Sequence, residues 1–277
     1  MALVDLHLHT TASDGRLTPT ELIHLVAKGG LEVISITDHD STEGLGEALE
    51  AAKEYPQLKL IPGIEMSADI PGNEIHILAY YIRYEDEGLQ NTLQKFRDDR
   101  IYRAKEIIER LRELGMALQW ERVQEIAGDG AVGRHHIALA MVEKGYVTQT
   151  SEAFDRYLGR NGPAYSEREK LTPVAAIELV RSWGGLAVLA HPSYVSDLDN
   201  VIPGLIEAGL VGMEVYYAQY PAEKIQELAQ MADRYGLLPC GGSDYPGMED
   251  RDEPLPGSMG PPLDVVKQLE QRASSSV

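Results

Sequence analysis

Short apolar strands that each run into an ionisable residue constrain this chain more than any other feature. Residues 3–8, 32–37, 58–64 and 74–81 read as early strands, and 185–190, 212–216 and 237–241 as late ones. The first strand leads through His7 to His9, and the second ends at Thr37 and meets Asp38-His39-Asp40. The third ends in Glu65, the fourth carries His76, the fifth ends in His191-Pro192 and the last in Ser243-Asp244. Burying such groups one at a time is costly, so separate placement in an apolar core is implausible, whereas a shared cation removes the objection. In parallel α/β folds the C-terminal strand ends converge on one rim, where ligands are bound.

Between the strands lie helical stretches, the alternation expected of βα units around a parallel sheet or barrel. Thr18-Pro19 with Glu21 reads as a capped helix start, Ser41 as another, and Thr172-Pro173 as a third. The middle differs in texture. From 88 to 169 the pattern is helical with little strand signal: 93–114 has apolar residues at helical spacing, and shorter helices follow near Trp120, His135 and Glu152. The expected organisation is therefore a first barrel part over 1–87, a helical insert over 88–169 and a second barrel part over 170–277. Residues 273–277 are small and polar, which predicts a disordered tail.

Composition narrows the partners. The net charge of −19 argues against a broad footprint for duplex DNA or long RNA, although a local metal cluster can invert the field for a small anion. The longest apolar runs fall far short of the roughly 20 residues needed to span a bilayer, and the first strand leaves no room for a leader peptide. These features read as a cytoplasmic protein without a membrane partner. The single cysteine, Cys240, removes thiol-rich metal sites from consideration, so any metal is held by nitrogen and oxygen.

His7 and His9 are two apart on one strand and project to the same face, while Leu6 and Leu8 take the other. Asp14 follows in the glycine-containing loop TASDG. Together with His39, Glu65, His76, His191 and Asp244, these residues exceed the four ligands of one tetrahedral zinc. They suggest two or three divalent ions bridged by a carboxylate, with Glu65 the natural bridge; manganese, iron and zinc all suit such donors. A water shared by two cations is acidified enough to serve as hydroxide near neutral pH, and the cations also bind phosphate oxygens. Asp14, His39 and His191 are all candidates to assist proton transfer, and the sequence does not choose among them.

The motifs HxH at 7 and 9, SDG around Asp14, TDHD at 37–40, GIE ending at Glu65, the His76 strand, AHP at 191 and GSD at 242–244 resemble, in order, the polymerase and histidinol phosphatase (PHP) family. The resemblance implies a distorted (β/α)7 barrel, the PHP fold, with an inserted helical subdomain that caps a metal-dependent phosphoesterase site. It implies that His7, His9, Glu65 and Asp244 hold one metal, that Glu65, His76 and His191 hold a second, and that Asp14 and His39 form part of a third. Many members continue the last motif as Ser-Asp-x-His, but here Pro246 stands at that position. Proline cannot ligate, so a weak third site completed by water and an absent one both stand.

The insert bears on the substrate. Arg100 and Arg103 share a helix face, where they could serve substrate or simply pair with Asp98, Asp99 or Glu106. Arg134 and His135 open another helix, whose free N–H groups favour an anion. The run GRHHIA and the aromatic segments after it resemble the insert of PHP proteins that hydrolyse nucleoside 3′,5′-bisphosphates, which implies a small nucleotide with two phosphates as substrate. Some relatives in that branch also trim short RNA from the 5′ end. Histidinol phosphate and a non-catalytic nucleotide or metal sensor, the latter prompted by Pro246, remain as alternatives. His24 reads as a surface or boundary residue, Cys240 as a small core group, and Tyr216 and Tyr217 as either pocket lining or core.

Overall fold

Seven strands lie side by side in chain order: β1 (Val4–Leu8), β2 (Val33–Ile36), β3 (Lys59–Ile70), β4 (Asn73–Tyr80), β5 (Leu186–Leu189), β6 (Leu210–Tyr217) and β7 (Leu238–Gly242). The computed structural model describes residues 2–70, 73–128, 131–166, 171–245 and 254–275. Just beyond β7 the chain returns to β1. The Asp244 N–H donates to the His7 carbonyl at 2.9 Å, and the His9 N–H to the Tyr245 carbonyl at 3.1 Å. The sheet is thus a nearly closed, distorted barrel. Gly242 makes this return possible, since a Cβ there would stand 2.5 Å from both Asp5 Oδ1 and the His7 nitrogen.

In chain order the helices are α1 (Pro19–Lys28), α2 (Leu45–Ala52), α3 (Glu87–Glu113), α4 (Trp120–Ala127), α5 (Arg134–Glu143), α6 (Thr150–Ala153), α7 (Pro173–Ser182), α8 (Leu198–Ala208), α9 (Ala222–Tyr235) and α10 (Leu263–Ser274). At the start of α1, Thr18 and Glu21 exchange hydrogen bonds: Thr18 Oγ1 accepts the Glu21 N–H at 3.2 Å, and Glu21 Oε2 accepts the Thr18 N–H at 2.9 Å. Thr172 Oγ1 caps α7 by accepting the Ala175 N–H at 3.2 Å. Among the described residues, no helix is long and apolar enough to cross a membrane.

The chain divides into two compact units, Met1–Gln90 with Lys170–Val277, and Asn91–Glu169. In the first, Leu6, Ile61, Leu78 and Val188 belong to one apolar cluster with Val265, Val266 and Leu269 of α10. In the second, Ala104, Ile107 and Leu111 repeat at helical spacing along α3 and pack with Val123, Ile137 and Met141. After α6 the helix widens into one π-helical turn over Phe154–Leu158.

Three expectations are corrected. β3 does not stop before Glu65 but runs to Ile70 and pairs antiparallel with β4, which in turn pairs antiparallel with β5. A parallel crossover needs about a dozen residues, and β4 begins at Asn73, so only a hairpin is possible there. Glu65 and His76 are therefore mid-strand residues. Second, α2 begins at Leu45 rather than Ser41. The polar run before it is spent on the loop: Ser41 Oγ accepts the Glu43 N–H at 3.3 Å, and Asp40 Oδ1 accepts the Ser67 N–H at 3.0 Å. Third, Ala273 and Ser274 close α10 instead of opening a disordered tail; residues 276–277 lie outside the described ones.

Candidate metal centre

Glu65 is the hub of a buried polar cluster, and its two oxygens face different partners. Oε2 lies 3.2 Å from His7 Nε2, 3.3 Å from His9 Nε2 and 3.2 Å from His39 Nδ1. Oε1 lies 2.8 Å from His76 Nδ1 and 3.1 Å from His191 Nε2. Asp244 Oδ1 joins the first set, 3.0 Å from His9 Nε2 and 3.3 Å from His7 Nε2. Asp14 stands at the more open side, 31% exposed, with Oδ1 3.6 Å from His9 Nδ1 and Oδ2 3.7 Å from His39 Nε2. Residues from seven places in the chain thus meet, although Glu65 itself is only 1% exposed.

Local structure explains the meeting. His7 on β1 and His9, one residue past its end, alternate with buried Leu6 and Leu8. A single bridge sets His39 beside Glu65, closed by the Asp40 N–H donating to the Glu65 carbonyl at 2.9 Å. In the β3–β4 ladder Glu65 faces Leu78 and Ser67 faces His76, so Glu65 and His76 are diagonal neighbours on one face. Asp40, His191 and Asp244 have positive φ (48°, 28° and 53°), a region non-glycine residues rarely adopt and which tends to collect at functional sites.

A further set of carboxylates supports the cluster. Asp38 accepts the Thr10 N–H at 2.7 Å, the Thr10 hydroxyl at 2.7 Å and the Ser13 hydroxyl at 2.6 Å. Asp5 accepts the Ser243 N–H at 2.9 Å and hydroxyl at 2.6 Å and the Gly257 N–H at 2.8 Å. Glu214 reaches His7 Nδ1 at 3.0 Å. The Tyr217 hydroxyl donates to Asp244 Oδ2 at 2.7 Å, so this tyrosine serves the cluster's framework, while Tyr216 is only half-buried. Sequence reasoning passed over Glu214 as a functional residue, yet it carries the signal that marked His76, an ionisable group inside an apolar strand.

Electrostatics follow from crowding. Burial works against charge on His9, but the hydrogen bond to Asp244 and the charges of Asp14 and Glu65 outweigh it and push the pKa up to about 9. Burial also opposes charge on His7, yet Asp244, Glu214 and Glu65 raise its pKa well above the usual value. Glu65 is the mirror case: desolvation would raise it, but His39, His7 and His76 hold it well below the carboxylate range. For His39 desolvation wins and its pKa falls. Asp5, buried against its own hydrogen bonds, is raised to about 6.

The donor set fits divalent cations. Two donors sharing a cation at about 2.0–2.2 Å stand roughly 3–3.5 Å apart, which matches most of the nitrogen–oxygen separations around Glu65. His9 Nδ1 and His39 Nδ1 are buried and, although each faces a carboxylate, neither makes an aligned hydrogen bond among the described residues. Among the described residues, three groupings of ligand atoms are close enough to share an ion: His7, His9 and Glu65; His9, Asp14 and His39; and His39, Glu65 and His76. His39 thus stands between two groupings.

The arginines of the insert belong to the helical unit. The Arg103 Nε–H donates to the Ser166 carbonyl at 2.8 Å and its guanidinium lies 5.5 Å from the Tyr165 ring centre. Glu106 takes Arg110 and the Ser166 hydroxyl. Arg100 reaches Gly133, where an added Cβ would lie 3.5 Å from its Nη1. Arg134 sits 5.9 Å from the Phe154 ring centre. His136 is buried, with Nδ1 accepting the Gly133 N–H at 3.0 Å, while His135 is half-buried. Elsewhere His24 packs edge-on against Tyr55, and Cys240 is buried. Pro246 lies outside the described residues.

Comparison with known proteins agrees with this geometry. A family model described as PHP domain matches residues 5–158. A 5′-3′ exoribonuclease of Haemophilus influenzae is 35% identical over 245 residues, spanning 87% of this chain and 89% of that one. A 3′,5′-nucleoside bisphosphate phosphatase of Chromobacterium violaceum is 32% identical over 98% of each chain. A solved structure from Bifidobacterium adolescentis, assigned as a metal-dependent phosphoesterase, superposes with a TM-score of 0.85 at 30% identity, covering 97% of this chain and 96% of that one.

Proposed function

The chain belongs to the PHP domain family and is a metal-dependent phosphoesterase, and from that premise we propose that it removes the 3′-phosphate from nucleoside 3′,5′-bisphosphates. The observation that carries this reading is the similarity to the bisphosphate phosphatase, which spans 98% of both chains and so includes the helical unit. Arg134, with Arg103, Arg100 and His135, is assigned to the second phosphate. In an acidic chain, with 25 Lys and Arg against 44 Asp and Glu, these arginines suit a substrate that carries two phosphates.

In this reading His7, His9, Glu65 and Asp244 would hold one metal, and Glu65, His76 and His191 a second. Asp14 and His39 would hold part of a third. Bound cations supply an acidified water and neutralise phosphate oxygens. The chain's own residues do the rest. Glu65, nearly fully buried, turns one oxygen toward His7, His9 and His39 and the other toward His76 and His191. Asp14, at 31% exposed, and His39, at 21% exposed, are the reachable groups for handing a proton to the leaving oxygen. His191 lies deeper, against Glu65 and His76, and is assigned to ligation first.

Purified protein supplied with Mn²⁺ and adenosine 3′,5′-bisphosphate is expected to release inorganic phosphate and leave the 5′-monophosphate. No release from protein shown to carry metal would overturn the proposal. Arg134→Ala is expected to raise KM for the bisphosphate about tenfold or more while sparing a simple aryl phosphate, because it removes a charge-assisted contact remote from the reacting bond. A second reading, stepwise 5′-3′ trimming of short RNA, is favoured by the 35% identity to the exoribonuclease. Release of mononucleotides from a 5′-phosphorylated oligoribonucleotide, faster than phosphate from the bisphosphate, would select it.

A further inference from the structure

Glu214 touches two of the assigned ligands at once. It stands on β6 between Met213 and Val215, fully buried in a strand otherwise built of apolar and aromatic side chains. A carboxylate has no apolar reason to be there, and its oxygens are both engaged. Oε1 lies 3.0 Å from His7 Nδ1, and Oε2 accepts the His191 backbone N–H at 2.7 Å.

Each contact has a consequence for the centre. An imidazole that donates from Nδ1 presents the lone pair of Nε2 outward, and Nε2 is the His7 atom that faces Glu65 and Asp244. His191 has φ 28° and ψ 58°, a backbone conformation that needs a partner to hold it. Its ring then reaches Glu65 Oε1, on the other side of the hub from His7. We infer that Glu214 is a positioning residue of the metal centre, fixing the His7 ring with Nε2 toward Glu65 and pinning the backbone turn that aims His191. One buried carboxylate thereby orients ligands on both sides of Glu65. The inference rests on the ligand assignment proposed above.

Glu214→Gln tests it with little change of volume. A glutamine can accept from one of the two N–H groups but turns its own N–H2 toward the other, so one contact is lost. Zn²⁺ affinity, measured by chelator competition, is expected to fall about 10–100-fold, with far-UV circular dichroism of the chelated protein unchanged. Spectra of Zn²⁺-loaded protein carrying ¹⁵N-histidine are expected to show a protonated Nδ1 on His7, and to show that proton lost or in faster exchange in the variant. A folded Glu214→Gln protein with unchanged affinity overturns the inference. So does weaker binding with an unaltered His7 signal, which assigns Glu214 to packing. If the glutamine variant fails to fold, Glu214→Asp, too short to span both partners, is read by the same two measurements. Failure of the unmutated protein to bind Zn²⁺ overturns the ligand assignment itself, and this inference with it.

Discussion

His9 is the side chain on which the cluster's two faces turn, with Nε2 toward Glu65 and Asp244 and Nδ1 toward Asp14. His9→Ala is expected to lower the metals held per chain, read by elemental analysis, and to cut phosphate release more than ~100-fold, since even the partners of a ligand are worth 10–100-fold. A variant with full metal content and activity would remove His9 from the ligand set. The same residue makes a pH prediction. Its pKa in the fold is raised from 6.5 to about 9, and that of His7 is raised too, so the metal-free folded state binds more protons than the unfolded chain between those values. This contribution is fully present below pH 6.5 and is lost as pH rises toward 9. Urea unfolding in the presence of a chelator is expected to give falling stability from pH 6.5 to 9. In loaded protein the cation takes the proton's place and the decline disappears. Stability that rises over that range in chelator would contradict the cluster's electrostatics.

At the scale of the element, the return of the chain from β7 to β1 is the delicate step. Gly242 passes so close to Asp5 and His7 that a methyl group would meet both at 2.5 Å, and those atoms cannot move without disturbing the strand that carries His7. Gly242→Ala is expected to destabilise the protein by about 3 kcal/mol and to lower metal affinity as well, because overpacking here pushes on a ligand strand. Retention of wild-type melting temperature and metal content would show that the closure is softer than its geometry. The β3–β4 hairpin works differently. It carries Glu65 and His76 past the end of β2 on one antiparallel ladder, so their spacing is set by strand pairing rather than by loops.

For the whole molecule, cations held as proposed by residues from β1, the β2 loop, β3, β4 and the ends of β5 and β7 would tie both barrel segments of the sequence together. Binding that occurs only in the fold stabilises it, by about 2.7 kcal/mol at a ligand concentration a hundred times Kd. Addition of Mn²⁺ to chelator-treated protein is therefore expected to raise the melting temperature by several degrees, and Ca²⁺, which prefers all-oxygen sites, to raise it less. Equal shifts with both ions, or none, would argue against a histidine-rich centre.

The residues of the cluster and their order were legible in the chain because each interrupts an apolar strand pattern or ends it: His7 and His9 two apart, His39 after Thr37, His191 after Ala190, Asp244 after the Gly-Gly pair. Such interruptions are costly unless the groups meet, and that cost is a local property. The capped starts of α1 and α7 were legible for the same reason, since caps are local chemistry. What the tertiary structure decided is everything that depends on neighbours far apart in sequence. It turned β4 antiparallel and made Glu65 a mid-strand hub with one oxygen for each side. It spent the polar run at 38–42 on the rim instead of on a helix start. It also recruited Glu214, 207 residues from His7, to hold that ring. Long-range register has no local signature, so these partnerships exist only once the barrel closes.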